Sequence, residues 1–341
     1  MKRMEKYKDL KLWYSSSDGT GCGYYRSMLP SEYMKKYFPN VFFASGFPQN
    51  HPERDSHDVY FVQRINHDFF LEWIPFMKSK GKKIIYDIDD NLWDIPASNL
   101  AHKFYPPKEL RRVSKIIGLC DGVVTSTIPL KGHLEQFNDN VHVIQNMIPD
   151  VFEPKNNPDA PIHLGWAGSY THNGDFTNYL VRYIESLVKE KKIEKFTCFG
   201  FTPQYFKHIA NSEGWAESTE YLNKLHGLSY DIGVIVTDDN FFNKCKSNIK
   251  YLEYSSIGCA SVAHSAYPYE TTMTHGENGF LVKNEKTDWR EWIDFLLKNP
   301  EERIRISTNA YNYVKNNFTY KHTGTLILEK YLDVFDSIFD K

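Results

Sequence analysis

The stretch "NKCKSNIKYLEYSSIGCASVAHS", residues 243–265, decides the fold. Its first part has the spacing of a helix that carries Lys246, Lys250 and Glu253 along one side, and after Gly258 the chain continues as a short apolar run. A helix that stops at a glycine and leads into a short apolar strand is one step of an alternating β/α pattern. The lysines and the glutamate therefore form either a hydrated helix face or one wall of a site for a doubly charged ligand.

The same alternation runs along the whole chain, interrupted by the proline-rich segment "NMIPDVFEPKNNPDAP" at 146–161. Short apolar runs between helical patterns predict parallel strands that helices cover on both faces. The predicted strands of the first half are Lys11–Ser15, Val41–Ala44, Asp58–Gln63, Lys83–Asp87, Gly122–Thr125 and Val141–Ile144, and its helices are Tyr24–Tyr37, Asp68–Lys80, Lys108–Leu119 and Pro129–Phe137. The predicted strands of the second half are 162–168, 195–200, 230–236, 260–265 and 279–282. Its helices, besides the one in the opening stretch, are 176–189, 204–211, 218–225, 288–298 and 320–339, with a segment 301–318 before the last helix.

This pattern predicts the α/β fold class, with two Rossmann-like βαβ domains that face each other across a cleft. The predicted boundaries are 1–148 for the first domain, 149–160 for a linker, 161–318 for the second domain and 319–341 for a C-terminal helix. That helix has an apolar stripe at helical spacing, and crossing back to the first domain is one way to bury it. The stripe consists of Leu326, Leu328, Tyr331, Leu332, Phe335 and Ile338.

Composition narrows the class of protein. The 341 residues carry a net charge of −2, which gives no global attraction to nucleic acid or to an anionic membrane. The five cysteines are odd in number and lack CxxC spacing, so they favour reduced thiols and a cytoplasmic location, in the host cytoplasm if the protein is phage-encoded. The N-terminus has no apolar leader and no apolar run reaches 18 residues, so we expect no stable membrane insertion.

A glycine-rich loop, "SSSDGTGCGYYR" at 15–26, follows the first predicted strand and precedes a helix. Ligands of open α/β sheets bind beyond the carboxyl ends of the strands, and glycines let the backbone approach an anion closely. Gly21, Gly23 and Arg26 are therefore predicted to contact the anionic part of a ligand, unless the loop is only a tight turn. The spacing G-x-G-x-G differs from the dinucleotide fingerprint, so a nicotinamide enzyme is not favoured.

Three carboxylates, Asp87, Asp89 and Asp90, cluster where the strand of "IIYDIDDNLWDIP" (84–96) ends. Carboxylates at this position bind a metal, accept a proton from a hydroxyl or hydrogen-bond to sugar hydroxyls, or they only cap a helix in a hydrated loop. Arg64 ends a neighbouring strand and is predicted to pair with them.

The second predicted domain opens with "GWAGSYTHNGDF" at 165–176, a strand followed by small polar residues and a helix. Gly168 and Ser169 offer amides and a hydroxyl to an anion, and His172 offers a donor whose charge depends on pH. A histidine in such a loop is otherwise a structural hydrogen-bonding group.

In the opening stretch, the residue types and their spacing outline a diphosphate site. If Ser247 or Asn248 caps the helix, Lys246 lies beside free amides at the positive end of the helix dipole, and Lys250 lies one turn further on. From Ser247 to Glu253 a helix rises about 9 Å, which is roughly the span from a nucleotide diphosphate to its ribose hydroxyls. The alternative is a hydrated Lys–Glu pair on a surface helix.

The stretch "KSNIKYLEYSSIGCASVAHS" (246–265), with "YPYETTMTHGENGFLV" (267–282), resembles the nucleotide-sugar signature of the retaining GT-B glycosyltransferases of the "group 1" or family-4-like type. The resemblance implies that Glu253 binds the donor ribose. Gly258 matches the family's glycine, and the strand that follows matches its P-V-V segment.

Upstream segments extend the resemblance over nearly the whole chain. "GWAGSYTHNGDF" is similar to the family's second phosphate loop, and "GCGYYR" (21–26) to its first glycine-rich loop. "YDIDDNLWDIP" (86–96) resembles a motif of a bacterial and phage subgroup.

The chain departs from the family pattern at two places. Cys245 stands where relatives carry the first glutamate of an E-x7-E pair, which contacts the transferred sugar. Cys245 is therefore predicted to lie at the sugar or the acceptor. The family's basic pair is missing from "GSYTHNGD" (168–175), and Lys246 and Lys250 are expected to replace its charge.

These observations predict a glycosyltransferase that moves a sugar from a nucleotide-diphosphate sugar to an acceptor hydroxyl. We expect no cofactor and no metal, since lysines and a helix dipole replace a cation at the diphosphate; retention of configuration is implied by the resemblance. Donor contacts are expected from Gly21, Gly23, Arg26, Gly168, Ser169, His172, Lys246, Ser247, Lys250 and Glu253. Catalytic roles are expected for Asp87, Asp89, Asp90 and Lys246, and contacts to the acceptor or the sugar for Arg64, Asp89 and Cys245.

Two alternatives stay open, and the acceptor remains a glycan, a lipid, a small molecule or a modified DNA base. The first alternative is another nucleotide-sugar enzyme, either a GT-B epimerase or a metal-dependent transferase built around Asp87–Asp90. The second is a phage-type enzyme that glycosylates modified DNA bases, or a module that only binds nucleic acid. Its basic groove would be lined by Lys35, Lys36, Lys103, Lys108, Arg111 and Arg112.

Overall fold

In the computed structural model, which describes residues 2–154, 158, 160–172, 174–283 and 285–340, the chain forms two sheets of six parallel strands each. The first sheet contains β1 Lys11–Ser16, β2 Asn40–Ser45, β3 Val59–Gln63, β4 Lys83–Ile88, β5 Gly122–Thr125 and β6 Val141–Val143. The second contains β7 His163–Gly168, β8 Lys195–Gly200, β9 Ala210–Glu213, β10 Ile232–Ile235, β11 Ala260–His264 and β12 Phe280–Val282. The predicted α/β fold with two Rossmann-like units is confirmed.

Helices connect the strands and cover both faces of each sheet, as parallel strands require. The helices of the first half are α1 Lys2–Tyr7, α2 Gly21–Gly23, α3 Leu29–Met34, α4 Phe69–Ser79, α5 Pro107–Leu119 and α6 Ile128–Leu134, with a π-helical turn at Tyr24–Met28 between α2 and α3. The helices of the second half are α7 Asn178–Lys189, α8 Tyr221–Leu228, α9 Phe241–Lys244, α10 Ile249–Ser256, α11 Tyr267–Glu270, α12 Asp288–Lys298, α13 Pro300–Asn317 and α14 Tyr320–Phe339.

The strand order places a switch point in each sheet. The first sheet runs β2-β1-β3-β4-β5-β6, so the connections reverse direction between β1 and β3. The second runs β12-β11-β10-β7-β8-β9 and reverses between β7 and β10. Crevices open at such points beyond the carboxyl ends of the strands, where the glycine-rich loop after β1 and the loop after β7 lie.

Two predicted helices differ from the structure. The segment 204–211 forms only a 3₁₀ turn, Gln204–Phe206, and then joins the sheet as the edge strand β9. Pairing with β8 decides its conformation, since its polar residues show no alternation that would signal a strand. The helix of the opening stretch is also divided, into α9 and α10.

The C-terminal helix α14 packs on the first domain, which buries its apolar stripe except for Leu326, whose side chain is exposed. The ring of Phe335 contacts Phe38 and Phe61 with ring centroids 5.8 and 6.3 Å apart. Gly324 is required for this packing, because a Cβ there would lie 2.4 Å from the Tyr33 hydroxyl oxygen. Arg3 of α1 adds ion pairs to three carboxylates of α14, Glu329, Asp333 and Asp336.

The two connections between the domains run side by side. Ile148 and Thr319 form a parallel bridge, in which the Ile148 amide donates to the Phe318 carbonyl and the Tyr320 amide donates to the Ile148 carbonyl, both at 2.9 Å. The domain boundaries 1–148, 149–160, 161–318 and 319–341 stay predictions. The predicted linker falls in part on residues 155–157 and 159, which lie outside the described residues.

Across the described part of the chain, every helix falls short of the length or the hydrophobicity that crossing a membrane would need.

Candidate functional site

A cavity of about 310 Å³ lies between the two sheets, beyond the carboxyl ends of their strands. Its first-domain wall comes from the loops after β1 and β4. Its second-domain wall comes from the loops after β7 and β8 and from the start of α10. The cavity is therefore at the place where a doubly wound fold binds ligands.

Ten of the predicted site residues line this cavity and five do not. Those that line it are Gly21, Asp89, Asp90, Gly168, Ser169, His172, Lys246, Ser247, Lys250 and Glu253. Gly23, Arg26, Arg64, Asp87 and Cys245 are not among its lining residues.

Glu253 is the centre of a buried hydrogen-bond network that joins the domains. Its side chain is 3% exposed, and Tyr25 of the first domain donates to Oε1 at 2.9 Å. Tyr221 donates to Oε2 at 3.0 Å, and the Lys250 ammonium lies 2.8 Å from the same oxygen. A buried carboxylate requires such partners, and they fix its position at the cavity wall.

The start of α10 forms a cationic wall. Lys246 lies over the Phe242 ring, 4.6 Å from its centroid, and no carboxylate of the described residues pairs with it. Burial, and then the Lys246 charge, lower the pKa of His172, whose Nδ1 lies 2.7 Å from Asp175. Lys250 adds a second ammonium one turn further along α10.

The predicted side-chain cap of this helix is not present. Asn248 occupies the N-cap position, but among the residues that the structure describes no side chain accepts a hydrogen bond from the first turn. The Asn248 side chain donates to Thr272 at 2.9 Å, and the Ser247 hydroxyl accepts from Asn146 at 2.9 Å. The amides at the start of α10 therefore lack a side-chain acceptor, which is the arrangement that binds anions.

The loop after β7 brings its backbone close to the cavity. Gly168 must lack a side chain, because a Cβ there would lie 2.4 Å from the Trp166 ring. The Ser169 hydroxyl bonds to the Thr171 hydroxyl at 2.6 Å. Both residues line the cavity, next to the cationic wall.

The glycine-rich loop after β1 differs from the prediction, because a carboxylate of its own occupies its amides. Asp18 Oδ1 accepts hydrogen bonds from the Thr20 amide at 2.9 Å and from the Gly23 amide at 3.2 Å. A Cβ on Gly23 would lie 2.1 Å from the Asp18 carbonyl oxygen, so this glycine serves the turn itself. Gly21 alone of the two predicted glycines reaches the cavity.

Arg26 and Asp87 form a buried ion pair behind the cavity, and this corrects their predicted placement. Arg26 donates from Nε and Nη2 to the two Asp87 oxygens at 2.9 and 2.8 Å, and both side chains are 3% exposed. Nη1 donates to the carbonyl of Ile144 and to Asn146. Because the hydrogen-bonding groups of Arg26 and Asp87 bind each other, the pair stabilises the loops and does not bind a ligand.

Asp89 and Asp90 do line the cavity, together with the Cys22 thiol. One ligand atom from each of the three lies within 4.8 Å of the others. Asp89 is 8% exposed and its Oδ1 has no hydrogen-bond partner among the described residues. Burial, followed by the charge of Asp90, raises the pKa of Asp89 to about 6.

Arg64 lies behind these carboxylates instead of at the cavity surface. Its Nη1 is 3.7 Å from Asp90, as predicted, and its Nη2 donates to the Tyr105 hydroxyl at 2.9 Å. Its backbone φ of 53° is a left-handed conformation that costs a non-glycine residue free energy. Arg64 is thus placed to hold Asp90 rather than to contact a ligand.

Cys245 faces the first domain, contrary to the prediction that it contacts a sugar. It is fully buried, and Asn91 donates to its Sγ at 3.6 Å. Thr127 donates to its carbonyl at 2.7 Å, so both contacts come from first-domain loops. Burial raises the pKa of the thiol to about 11, so the group is neutral at physiological pH.

Twelve of the lining residues were not predicted from the sequence, among them Tyr25, Asn146, Trp215 and Tyr221. Tyr25 lies within the glycine-rich loop. Its partner Glu253 is distant in the sequence, so no local pattern indicated its role. Trp215 is 58% exposed and lies in the polar segment after β9. A tryptophan in such a segment is a sequence feature that could have indicated a ligand contact. Tyr221 stacks on Phe199, with ring centroids 5.0 Å apart.

Residues 181–329 match the protein family described as "Glycosyl transferase-like". The match covers the segment from α7 to α14, which is less than half of the chain. The predicted GT-B fold is confirmed, and the family match agrees with the predicted glycosyltransferase; no curated protein matches the sequence significantly.

Solved structures resemble this chain over most of its length. Alr3699/HepE of Anabaena, solved in complex with UDP, is 13% identical with a TM-score of 0.67, over 96% of this chain and 100% of that one. A glycosyltransferase from Rickettsia africae is 16% identical with a TM-score of 0.60, over 97% and 99%. A mutant of TarM from S. aureus, solved with Fondaparinux, alpha-GlcNAc-glycerol and UDP, is 15% identical with a TM-score of 0.58, over 82% and 55%.

Proposed function

We propose that the protein transfers a sugar from a UDP-sugar to an acceptor hydroxyl, with retention of configuration and without a metal ion. The observation that carries the proposal is the cationic wall at the start of α10, where Lys246, with no carboxylate partner among the described residues, lies beside uncapped amides in the same cavity as Glu253. The complexes of similar folds with UDP and with UDP-glucose support this donor.

The cationic wall is proposed to hold the donor diphosphate. Lys246, Lys250 and the α10 amides supply positive charge, and the loop of Gly168 and Ser169 supplies further donors. Glu253 is proposed to accept hydrogen bonds from the ribose hydroxyls, because a carboxylate accepts about four and its described partners leave capacity.

In the reaction, the acceptor oxygen forms a bond to the anomeric carbon while the bond from that carbon to the diphosphate breaks. The hydroxyl proton leaves with the diphosphate. Negative charge grows on the leaving group, so the cations of the α10 wall act where the transition state differs most from the ground state. Asp89, on the opposite wall, is proposed to orient the hydroxyl or to stabilise the positively charged sugar carbon.

A metal-using transferase remains the second candidate, because one observation favours it. Cys22, Asp89 and Asp90 bring three potential ligand atoms within 4.8 Å. Arg64, 3.7 Å from Asp90, already compensates part of their charge and weakens this alternative. Activity that survives EDTA would remove it. Epimerisation of a UDP-sugar without an acceptor would instead support a GT-B epimerase.

The finer assignments rest on the sequence. Retention and membership of the bacterial or phage subgroup are proposed from the motif resemblance. A cytoplasmic location is proposed from the five cysteines, all free thiols in the structure.

The test is a thermal-shift panel of nucleotides and nucleotide sugars, since a ligand that binds the native state raises its apparent stability. UDP and at least one UDP-sugar should raise the melting temperature more than ADP or GDP. Lys246→Ala should weaken UDP binding by roughly tenfold to a hundredfold, as expected for a lost charged contact. Lys244→Ala is the matched control, because Lys244 pairs with Asp239. Equal binding by both variants would refute the proposed diphosphate site.

A further inference from the structure

The cavity has walls of opposite charge. The second-domain wall carries Lys246, together with Lys250 paired to Glu253, whereas the first-domain wall carries the carboxylates of Asp89 and Asp90. Arg64 is the cation nearest to these carboxylates within the described residues, and it lies behind them. Two carboxylates therefore face the cavity, whereas the guanidinium of Arg64 does not reach the cavity surface.

Asp89 shows that this wall is built to receive a ligand. Its carboxylate is more than nine-tenths buried, yet Oδ1 has no hydrogen-bond partner in the described chain. A buried carboxylate oxygen without a donor is costly, and native structures rarely retain one without a purpose. This oxygen has almost no accessible surface, so a hydroxyl in the cavity would reach it only after a small movement of the side chain, whereas the carboxylate charge would repel a phosphate or a carboxylate.

The basic residues that could have formed a nucleic-acid groove do not reach the cavity. Of the six, none is a lining residue. Lys35 pairs with Glu32 at 2.6 Å, and Arg112 pairs with Glu109 at 2.6 Å. The charge pattern therefore disfavours DNA as the acceptor.

We propose that the acceptor is an uncharged carbohydrate, whose hydroxyls bind Asp89 and Asp90, and that the first-domain wall rejects acceptors carrying phosphate or carboxylate near the reacting hydroxyl. This inference rests on the proposed function and adds the chemical class of the second substrate. Specificity of this kind arises from repulsion of the wrong substrate as much as from attraction of the right one.

The experiment uses the full chain with UDP-glucose, or with the UDP-sugar that stabilises it most. The acceptors are p-nitrophenyl glycosides of neutral sugars, their 6-phosphates, the matching uronides and a single-stranded oligonucleotide. Neutral glycosides should exceed their anionic counterparts by about tenfold or more in kcat/KM. Asp90→Asn should narrow this ratio by roughly threefold or more, because it removes one of the two negative charges of the first-domain wall.

Asp239→Asn serves as the matched control, since it removes the same charge from a residue that does not line the cavity. Equal or better use of an anionic acceptor overturns the inference. So does the absence of transfer to every neutral glycoside under conditions where the enzyme measurably hydrolyses the donor. Failure of the proposed function is recognised separately, by UDP binding that Lys246→Ala leaves unchanged.

Discussion

The Tyr25 hydroxyl donates a hydrogen bond to Glu253 Oε1 at 2.9 Å, across the cleft between the two domains. The two residues are 228 positions apart in the sequence. The carboxylate proposed to bind the donor ribose is thus held partly by the domain that is proposed to bind the acceptor. Donor affinity should therefore depend on how the domains approach each other.

Tyr25→Phe removes this donor from Glu253 and leaves the ring in place. A lost hydrogen bond to a buried charged group costs about 1.5–3 kcal/mol, so we expect lower stability and weaker UDP binding. Calorimetric titration with UDP and thermal unfolding measure the two effects. Tyr24→Phe is the control, because the Tyr24 ring contacts Tyr25 but its hydroxyl has no hydrogen bond among the described residues. Equal effects of the two substitutions would show that the bond to Glu253 is unimportant.

Arg26→Met should destabilise the protein strongly, by about 3–5 kcal/mol, because it leaves Asp87 buried without its partner. Chemical denaturation measures this loss. Arg54→Met is the control: its ion pair with Asp55 is 24% and 31% exposed, so the loss should be about 1 kcal/mol or less. If Arg26→Met instead weakened UDP binding in a protein of normal stability, the original assignment of Arg26 to the donor would be restored.

Asp89→Asn should change stability in a pH-dependent way. The pKa of Asp89 is raised from 3.8 to about 6, so the native state binds its proton more tightly than the unfolded state does. Stability from this group is fully present below pH 3.8 and is lost as the pH rises through about 6. The neutral amide avoids this loss, so the variant should be more stable than the parent at pH 7.5 and similar to it at pH 4.

The expected gain at pH 7.5 is at most about 3 kcal/mol, since one pH unit of pKa corresponds to about 1.4 kcal/mol. Urea denaturation at the two pH values measures it. Asp239→Asn, at a residue 61% exposed, should leave stability almost unchanged at both. If the variant were less stable than the parent at pH 7.5, the prediction that the ionised Asp89 carboxylate destabilises the native state would be wrong.

Trp215→Ala should weaken nucleotide binding without affecting stability. The ring is 58% exposed yet forms part of the cavity wall, so it contributes little to the core and offers a flat face to a ligand. Aromatic stacking on a base is worth about 1–3 kcal/mol. Phe104→Ala, an equally exposed aromatic away from the cavity, should leave UDP affinity unchanged. An unaltered UDP dissociation constant in Trp215→Ala would remove this residue from the site.

The sequence identifies the fold well because local patterns carry it. The apolar runs at β8 and β5 and the helical stripes of α12 and α14 coincide with the predicted ranges. The helix predicted at 204–211 was wrong because the conformation of this segment depends on pairing with β8, which is a nonlocal interaction. Lys246, Lys250 and Glu253 could be placed at a cavity because they lie within eight residues of one another beside a strand end.

The remaining site residues depend on contacts that spacing does not reveal. Arg26 and Asp87 both come after a strand, at the side of the sheet where ligands bind, and this predicted ligand contacts for both. They are 61 positions apart in the sequence, and their ion pair buries both side chains instead. Cys245 was predicted from its place in a motif, whereas its side chain faces Asn91 of the other domain. Local chemistry thus indicates which residues can bind a ligand, and tertiary contacts decide which of them are already used.

The crossing of α14 has a consequence for how the protein is made. The first domain includes α1, near the start of the chain, and is covered by α14, which ends at Phe339. During synthesis, domains generally fold in order as they leave the ribosome. Here the apolar surface that α14 covers stays exposed until the second domain has been translated. We therefore expect the nascent first domain to need a chaperone for a longer time than the second domain does.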